Sequence, residues 1–456
     1  MKQATILIAL LFSIVVTANP QEAVETEKLL LTNVRIFDVT TGTFTKPQNI
    51  YIDGGTIYHV GIIWDAPFDG REIDCRGKFA VPGLFDCHVH LTHLTDSGRD
   101  SLAIALKDFV ARGVMHVRDV GGPIDVVSDL NHKISSGEFI GPEMFYTGPM
   151  LEKSPLTWGD VNETYPNFTV AINSVEDVDS VLPSLAAKGA CLVKTFSKMD
   201  TAVYHHLAEV AAEHSLKIVH DPGGPLFHSI PMDWATDLGV TSIEHAKAPW
   251  PVVLNDSLAE EYDRLMAAPP DPMTSRAFMS KVAGMGVESV SLEKLGQLAE
   301  KMKQHGVYLC PTLHVLESME EMAIESSKEA MQVEQLPEPM LAMIKKGVAG
   351  MAAVSRLFVT ELSKDSVKML VGQDGIDPAA TFTEMRLLKE CGLSEADIIK
   401  GATIYPASWL GVDDRIGSIA PEREASMLIL DANPLEDITN LESASFVIHK
   451  GLMITR

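Results

Sequence analysis

One alternation constrains the fold of this 456-residue chain more than any other feature. Eight apolar, strand-like runs recur at 79–90, 113–120, 143–150, 190–196, 217–221, 241–246, 307–313 and 367–374. Between most of them lie segments with apolar residues at helical spacing, such as SLAIALKDFVARG, TAVYHHLAEVAAEHS and SLEKLGQLAEKMKQHG. Gly or Ser punctuates their ends. Strand-then-helix units repeated eight times predict a parallel (β/α)8 barrel of the TIM type, here over residues 81–408.

The flanks read differently. Residues 28–80 contain short β-branched runs around a Gly-Gly turn, and 409–456 end in SMLILDA and SFVIHKGLMI. Together they predict a small composite β-sandwich domain built from both termini. Two long insertions, near 247–290 and 314–346, follow strands. They are expected to rise over the C-terminal face of the barrel as lids.

Residues 1–18 combine Lys2, an apolar stretch from Ile6 to Val16 and a small-residue pattern ending at Ala18. This suits a signal peptide and implies a secreted or periplasmic protein. The stretch is too short to span a bilayer, and no later one is long and apolar enough, so no stable membrane anchor is expected. Five cysteines without a CxxC pair suggest buried free thiols, with one disulfide left open. A formal charge of −25 argues against nucleic acid as a partner. Asn162, Asn167 and Asn255 open glycosylation sequons. Self-association is left open.

The polar residues at the ends of the runs carry the chemistry. The first run ends in His88-Val89-His90, the fourth carries Lys194, the fifth reaches His220, the sixth His245 and the eighth Asp374. Residues i and i+2 of a strand share a face, so both imidazoles of the first run can point inward. The C-terminal ends of barrel strands open into the active-site mouth. Six metal-competent side chains would therefore converge, and burying them without a cation would be costly.

VPGLFDCHVH, GVMHVRDVGG, CLVKTF, SIEHA, VGQDG and GLSEADIIKGATIYPASWLGVDDRIGSI, in this order, resemble the metal-dependent amidohydrolase superfamily. The likeness is greatest to its imidazolonepropionase and Xaa-Pro dipeptidase-like branch. It implies metal ligands at His88 and His90, and a carbamate on Lys194 bridging two divalent ions, usually zinc. It further implies ligands to the second ion at His220 and His245, and a catalytic, metal-contacting Asp374. The implied activity is cleavage of a C–N amide bond by a metal-activated hydroxide, on a dipeptide, an N-acyl amino acid or a cyclic amide. A mononuclear deaminase or cyclic-imine hydrolase, which needs no carboxylated lysine, is the alternative; an inactive barrel that only binds is a third reading. TFSKMD after Val193-Lys194, Asp221-Pro222-Gly223-Gly224 after His220, and Gln373 before Asp374 depart from the family pattern at the pocket rim. His314 is a candidate substrate contact and His93 a candidate pocket lining. Arg118 and Asp119 are expected to pair with each other.

Overall fold

The computed structural model describes residues 28–63, 67–196, 198–223, 230–246, 249–267 and 272–455. The expected signal peptide, 1–18, lies outside the described residues.

Seven barrel strands are regular: Leu84–Val89, Val114–Asp119, Glu143–Tyr146, Leu192–Phe196, Lys217–Asp221, Ser242–Glu244 and Tyr308–Cys310. The first three pair in parallel, as do the last four. Residues 367–374 form the eighth stave. Its ladder is reduced to parallel bridges, Leu309 to Met369 and Val89 to Gly375. Backbone hydrogen bonds from Leu370 N to Leu309 O (2.8 Å) and from Cys87 N to Val371 O (2.7 Å) close the ring there. Cys191 N to Tyr146 O (3.2 Å) joins the third and fourth strands. The third run differs from expectation. It breaks at Gly148, whose φ of 76° is open to glycine, and Met150–Glu152 then pairs separately with the fourth strand and with Thr169–Ala171.

Strands from both ends of the chain share one sheet, in the order 452–454, 444–449, 427–430, 79–82, 29–38, 48–53, 56–61. Leu29, Leu31, Ile50, Ile52 and Ile57 from one end meet Met427, Ile429, Phe446 and Ile448 from the other in one apolar core. The first strand bulges at Asn33, in left-handed backbone, and changes partners there: residues 29–32 pair with 71–74, and 35–36 with 79–80.

Both insertions are helical rather than loop. Asp256–Met266 and Pro272–Met285 follow the sixth strand; Val315–Met331 and the 27-residue Glu338–Lys364 follow the seventh. The long helix crosses Pro272–Met285 at Gly350, where a Cβ would lie 1.8 Å from Ala283 O. Only its C-terminal half, from Val354 to Leu362, is buried, and in Val315–Met331 only Leu316 is. The tip of this pair stands away from the core. No helix among the described residues is long and apolar enough to cross a membrane.

Candidate metal centre and active site

The strand ends do gather most of the expected side chains. His88 Nε2 and His90 Nε2 lie 3.4 and 3.2 Å from Asp374 Oδ1. His245 Nδ1 lies 3.7 Å from Asp374 Oδ2, and its Nε2 lies 3.0 Å from Asp221 Oδ2. Lys194 Nζ stands 3.7 Å from the same Asp221 oxygen. A continuous polar rim thus runs from Lys194 through Asp221, His245 and Asp374 to the His88–His90 pair.

These donors fit a cation. His88 Nδ1 lies 2.7 Å from the buried carboxylate of Glu244, so it carries the proton and leaves a lone pair on Nε2. That Nε2 is buried and has no hydrogen-bond partner. His90 Nδ1 donates to Gly121 O at 3.1 Å, which turns its Nε2 lone pair inward as well. Burial pushes the His88 imidazole down to about 3, so it is neutral near pH 7. Two lone pairs therefore face one carboxylate oxygen, an arrangement that a positive charge resolves.

Backbone geometry aims the set. His245 follows the inward-facing Glu244, so alternation alone would turn it outward. Its φ of 67° bends the chain so that the ring returns to the rim, where Thr312 Oγ1 holds Nδ1 at 2.6 Å. Asp374 also has left-handed backbone, φ 61°, and its N–H bonds His88 O at 2.8 Å. A non-glycine residue in that region costs energy and persists where the surroundings hold it.

Behind the rim stands a buried relay that the sequence reading missed. Arg118 donates through Nη2 to both oxygens of Glu244 (2.7 Å each) and through Nε to Cys87 O. Ser242 Oγ is 2.6 Å from Glu244, and the Arg118 guanidinium lies 4.9 Å from the Trp409 ring centre. Burial works against the Glu244 charge, but Arg118 and His88 outweigh it and hold the carboxyl down to about 2. Arg118 therefore does not pair with Asp119, as expected from sequence. Its neighbour points to the other side of the strand, where Asp119 accepts from Leu91 N at 2.8 Å. The signal for Glu244 was its place beside His245 in SIEHA.

The structure does not bring His220 to the rim. Paired residues of parallel strands face the same way; Lys194 pairs with Val219, and Thr195 with His220. His220 thus faces the helix layer. Its Nδ1 meets Thr195 Oγ1 at 2.9 Å and Tyr204 OH at 3.3 Å, and its Nε2 donates to Ile230 O at 3.0 Å. The next residue, Asp221, points inward in its place. His314 is half-buried at the start of Val315–Met331, with Nδ1 3.6 Å from Glu317; its backbone N–H donates to the buried Glu384 at 2.7 Å. It makes no hydrogen bond or ion pair with the rim residues named above. Burial pushes Glu384 up to about 8, so this carboxyl holds its proton near neutrality. His93 is half-buried beside Tyr165 and Phe168. All five cysteines are free thiols.

Fold and rim together define a (β/α)8 barrel with a candidate metal centre at its C-terminal mouth and a β domain drawn from both chain ends. The pattern of the amidohydrolase family matches residues 270–452. It is 40% identical over 68 residues to an imidazolonepropionase of Vibrio cholerae, covering 14% of this chain and 17% of that protein. It is 31% identical over 157 residues to a deacetylase of Agrobacterium fabrum, covering 33% and 34%. The matched stretches thus span about a third or less of these relatives. Among solved structures, a Xaa-Pro dipeptidase with bound methionine superposes at a TM-score of 0.69 and 20% identity, covering 94% of this chain and all of that one. An ochratoxinase of A. niger superposes at 0.68 and 17% identity, covering 94% and 96%. At these identities the likeness is one of fold.

Proposed function

We propose that the protein is a metal-dependent hydrolase that cleaves the C–N bond of a small amide: a dipeptide, an N-acyl amino acid or a cyclic amide. One observation carries the reading. His88 Nε2 is buried, unpartnered and aimed with His90 Nε2 at Asp374. A divalent ion, which we take to be zinc, held by His88, His90 and Asp374 would act as Lewis acid and lower the pKa of water. Asp374 Oδ2, turned from the two imidazoles, would take the proton of the attacking water and hand it to the departing nitrogen. Glu244 and Gly121 O keep the imidazole lone pairs facing inward.

Lys194 is 2% exposed, beside Asp221 and His245. We propose that it is carboxylated and that its carbamate, with His245 and Asp221, holds a second ion. The outward turn of His220 favours a second reading, a mononuclear centre on His88, His90 and Asp374. Metal analysis separates the two. Purified protein is expected to hold close to two equivalents, and Lys194→Ala close to one, with its turnover strongly reduced. One equivalent in the wild type selects the mononuclear reading. Absence of bound metal, with no hydrolysis across dipeptides, N-acyl amino acids and lactams, would overturn both.

Export is proposed from the N-terminal sequence alone; mass spectrometry of protein recovered outside the cytoplasm should find a chain beginning at Asn19. An intact Met1 on that material would sink the proposal.

A further inference from the structure

One sector of the barrel mouth is built of rings. Phe168 lies 6.2 Å from His90 and 5.5 Å from His93, centre to centre; Tyr165 lies 5.0 Å from His93 and 6.2 Å from Phe168. Phe196 and Met150 join Phe168 in one apolar cluster. Phe196 is two residues beyond Lys194, on the same strand face, so it stands about 7 Å nearer the mouth. Met150 pairs with Lys194 across the ladder. The wall thus starts level with two candidate ligands and rises to a half-buried rim at His93 and Tyr165.

Its chemistry is uneven in a way that bears on substrate. Met150, Phe168 and Phe196 are apolar, and the carboxylate of Asp221, which pairs with Phe196 across the ladder, borders them. The Tyr165 hydroxyl is tied to Asp96, which fixes the ring. Lys153, at the end of the neighbouring strand, is already paired with Asp200 at 2.7 Å. A ring or a long aliphatic chain of a substrate would be buried against this wall.

We infer that the site takes amides whose residue beside the scissile bond bears a large apolar side chain, best an aromatic one. The inference rests on the hydrolase reading above and names its substrate class. A role confined to buttressing His90 is the competing account, and the two differ in what a change in the wall does.

The test uses binding as well as turnover. N-acetyl-L-phenylalanine, N-acetylglycine and N-acetyl-L-aspartate are titrated into metal-loaded protein by calorimetry, and hydrolysis of the same three is followed. The phenylalanine compound is expected to bind about tenfold to a hundredfold more tightly than the glycine one, the range set by burying a benzyl group. Phe168→Ala should reduce that ratio to about threefold or less, and Tyr165→Ala, at the half-buried rim, should lower it by a smaller factor. Metal content is measured on each variant. Equal affinity for the three compounds in wild-type protein overturns the inference. So does an unchanged Phe-to-Gly ratio in both variants, or a Phe168→Ala variant that loses metal while keeping the ratio. If the compounds bind with the expected preference and neither they nor dipeptides and lactams are cut, the hydrolase reading fails while the apolar wall stands.

Discussion

Asp374→Asn should leave the barrel folded and lower kcat by about 10²- to 10⁴-fold, the usual reach of a positioned general acid–base group. The side chain keeps its shape and loses its charge and its proton-carrying oxygen. Stability should move the opposite way in metal-free protein. There the wild-type carboxylate faces two imidazole lone pairs at 3.2 and 3.4 Å. The amide of Asn offers N–H donors to the same two nitrogens, including the buried Nε2 of His88 that otherwise has none. After chelation, the variant should melt at or above the wild-type temperature. With metal restored the order should reverse, because the wild type binds the ion more tightly and gains more from it. Thermal melts with and without chelator, beside steady-state rates, test both halves. Turnover within tenfold of wild type would remove Asp374 from the chemistry. A metal-free melting temperature well below wild type would mean that the carboxylate is a structural partner.

Much of this site was legible because barrel chemistry sits at strand ends and strand ends can be read from apolar runs. His88, His90, Lys194, His245 and Asp374 were reached that way, and the rim brings them together. The errors are errors of parity. At the fifth strand the sequence offers His220 and Asp221 side by side, and only ladder register decides which faces inward; Thr195 opposite His220 settles it, a fact no local pattern contains. His245 reaches the rim through left-handed backbone, which alternation does not foresee. In the first strand, register shifts between Asp86 and Val89 send Asp86 outward to Thr381 while His88 and His90 stay inward. Gly148 split a run that looked continuous. Arg118 was assigned its nearest charge in sequence, whereas its partner, Glu244, lies 126 positions away. Long-range pairing of this kind appears only once the ring is closed.

That long-range pair supports the second large effect. Glu244→Gln is expected to do two separable kinds of damage. It leaves the Arg118 guanidinium, 1% exposed, without a counter-charge, and breaking one side of a buried pair costs about 3–5 kcal/mol. It also frees the tautomer of His88. A glutamine amide can donate to Nδ1 as readily as its carbonyl can accept, and donation there moves the ring proton to Nε2, where it blocks a metal. Loss of such a supporting carboxylate typically weakens metal affinity by about 10- to 100-fold. Adding Arg118→Met tells the two apart. The double variant no longer buries a lone cation, so chemical denaturation of metal-free protein should show much of the lost stability restored. Competition titration with a chromophoric chelator should show metal affinity still depressed, since nothing has returned the carboxylate to Nδ1. Recovery of both together would mean that Glu244 acts only as a charge partner and that His88 finds its tautomer unaided. Failure to recover either would place the damage in packing around Trp409, because Arg118 covers that ring.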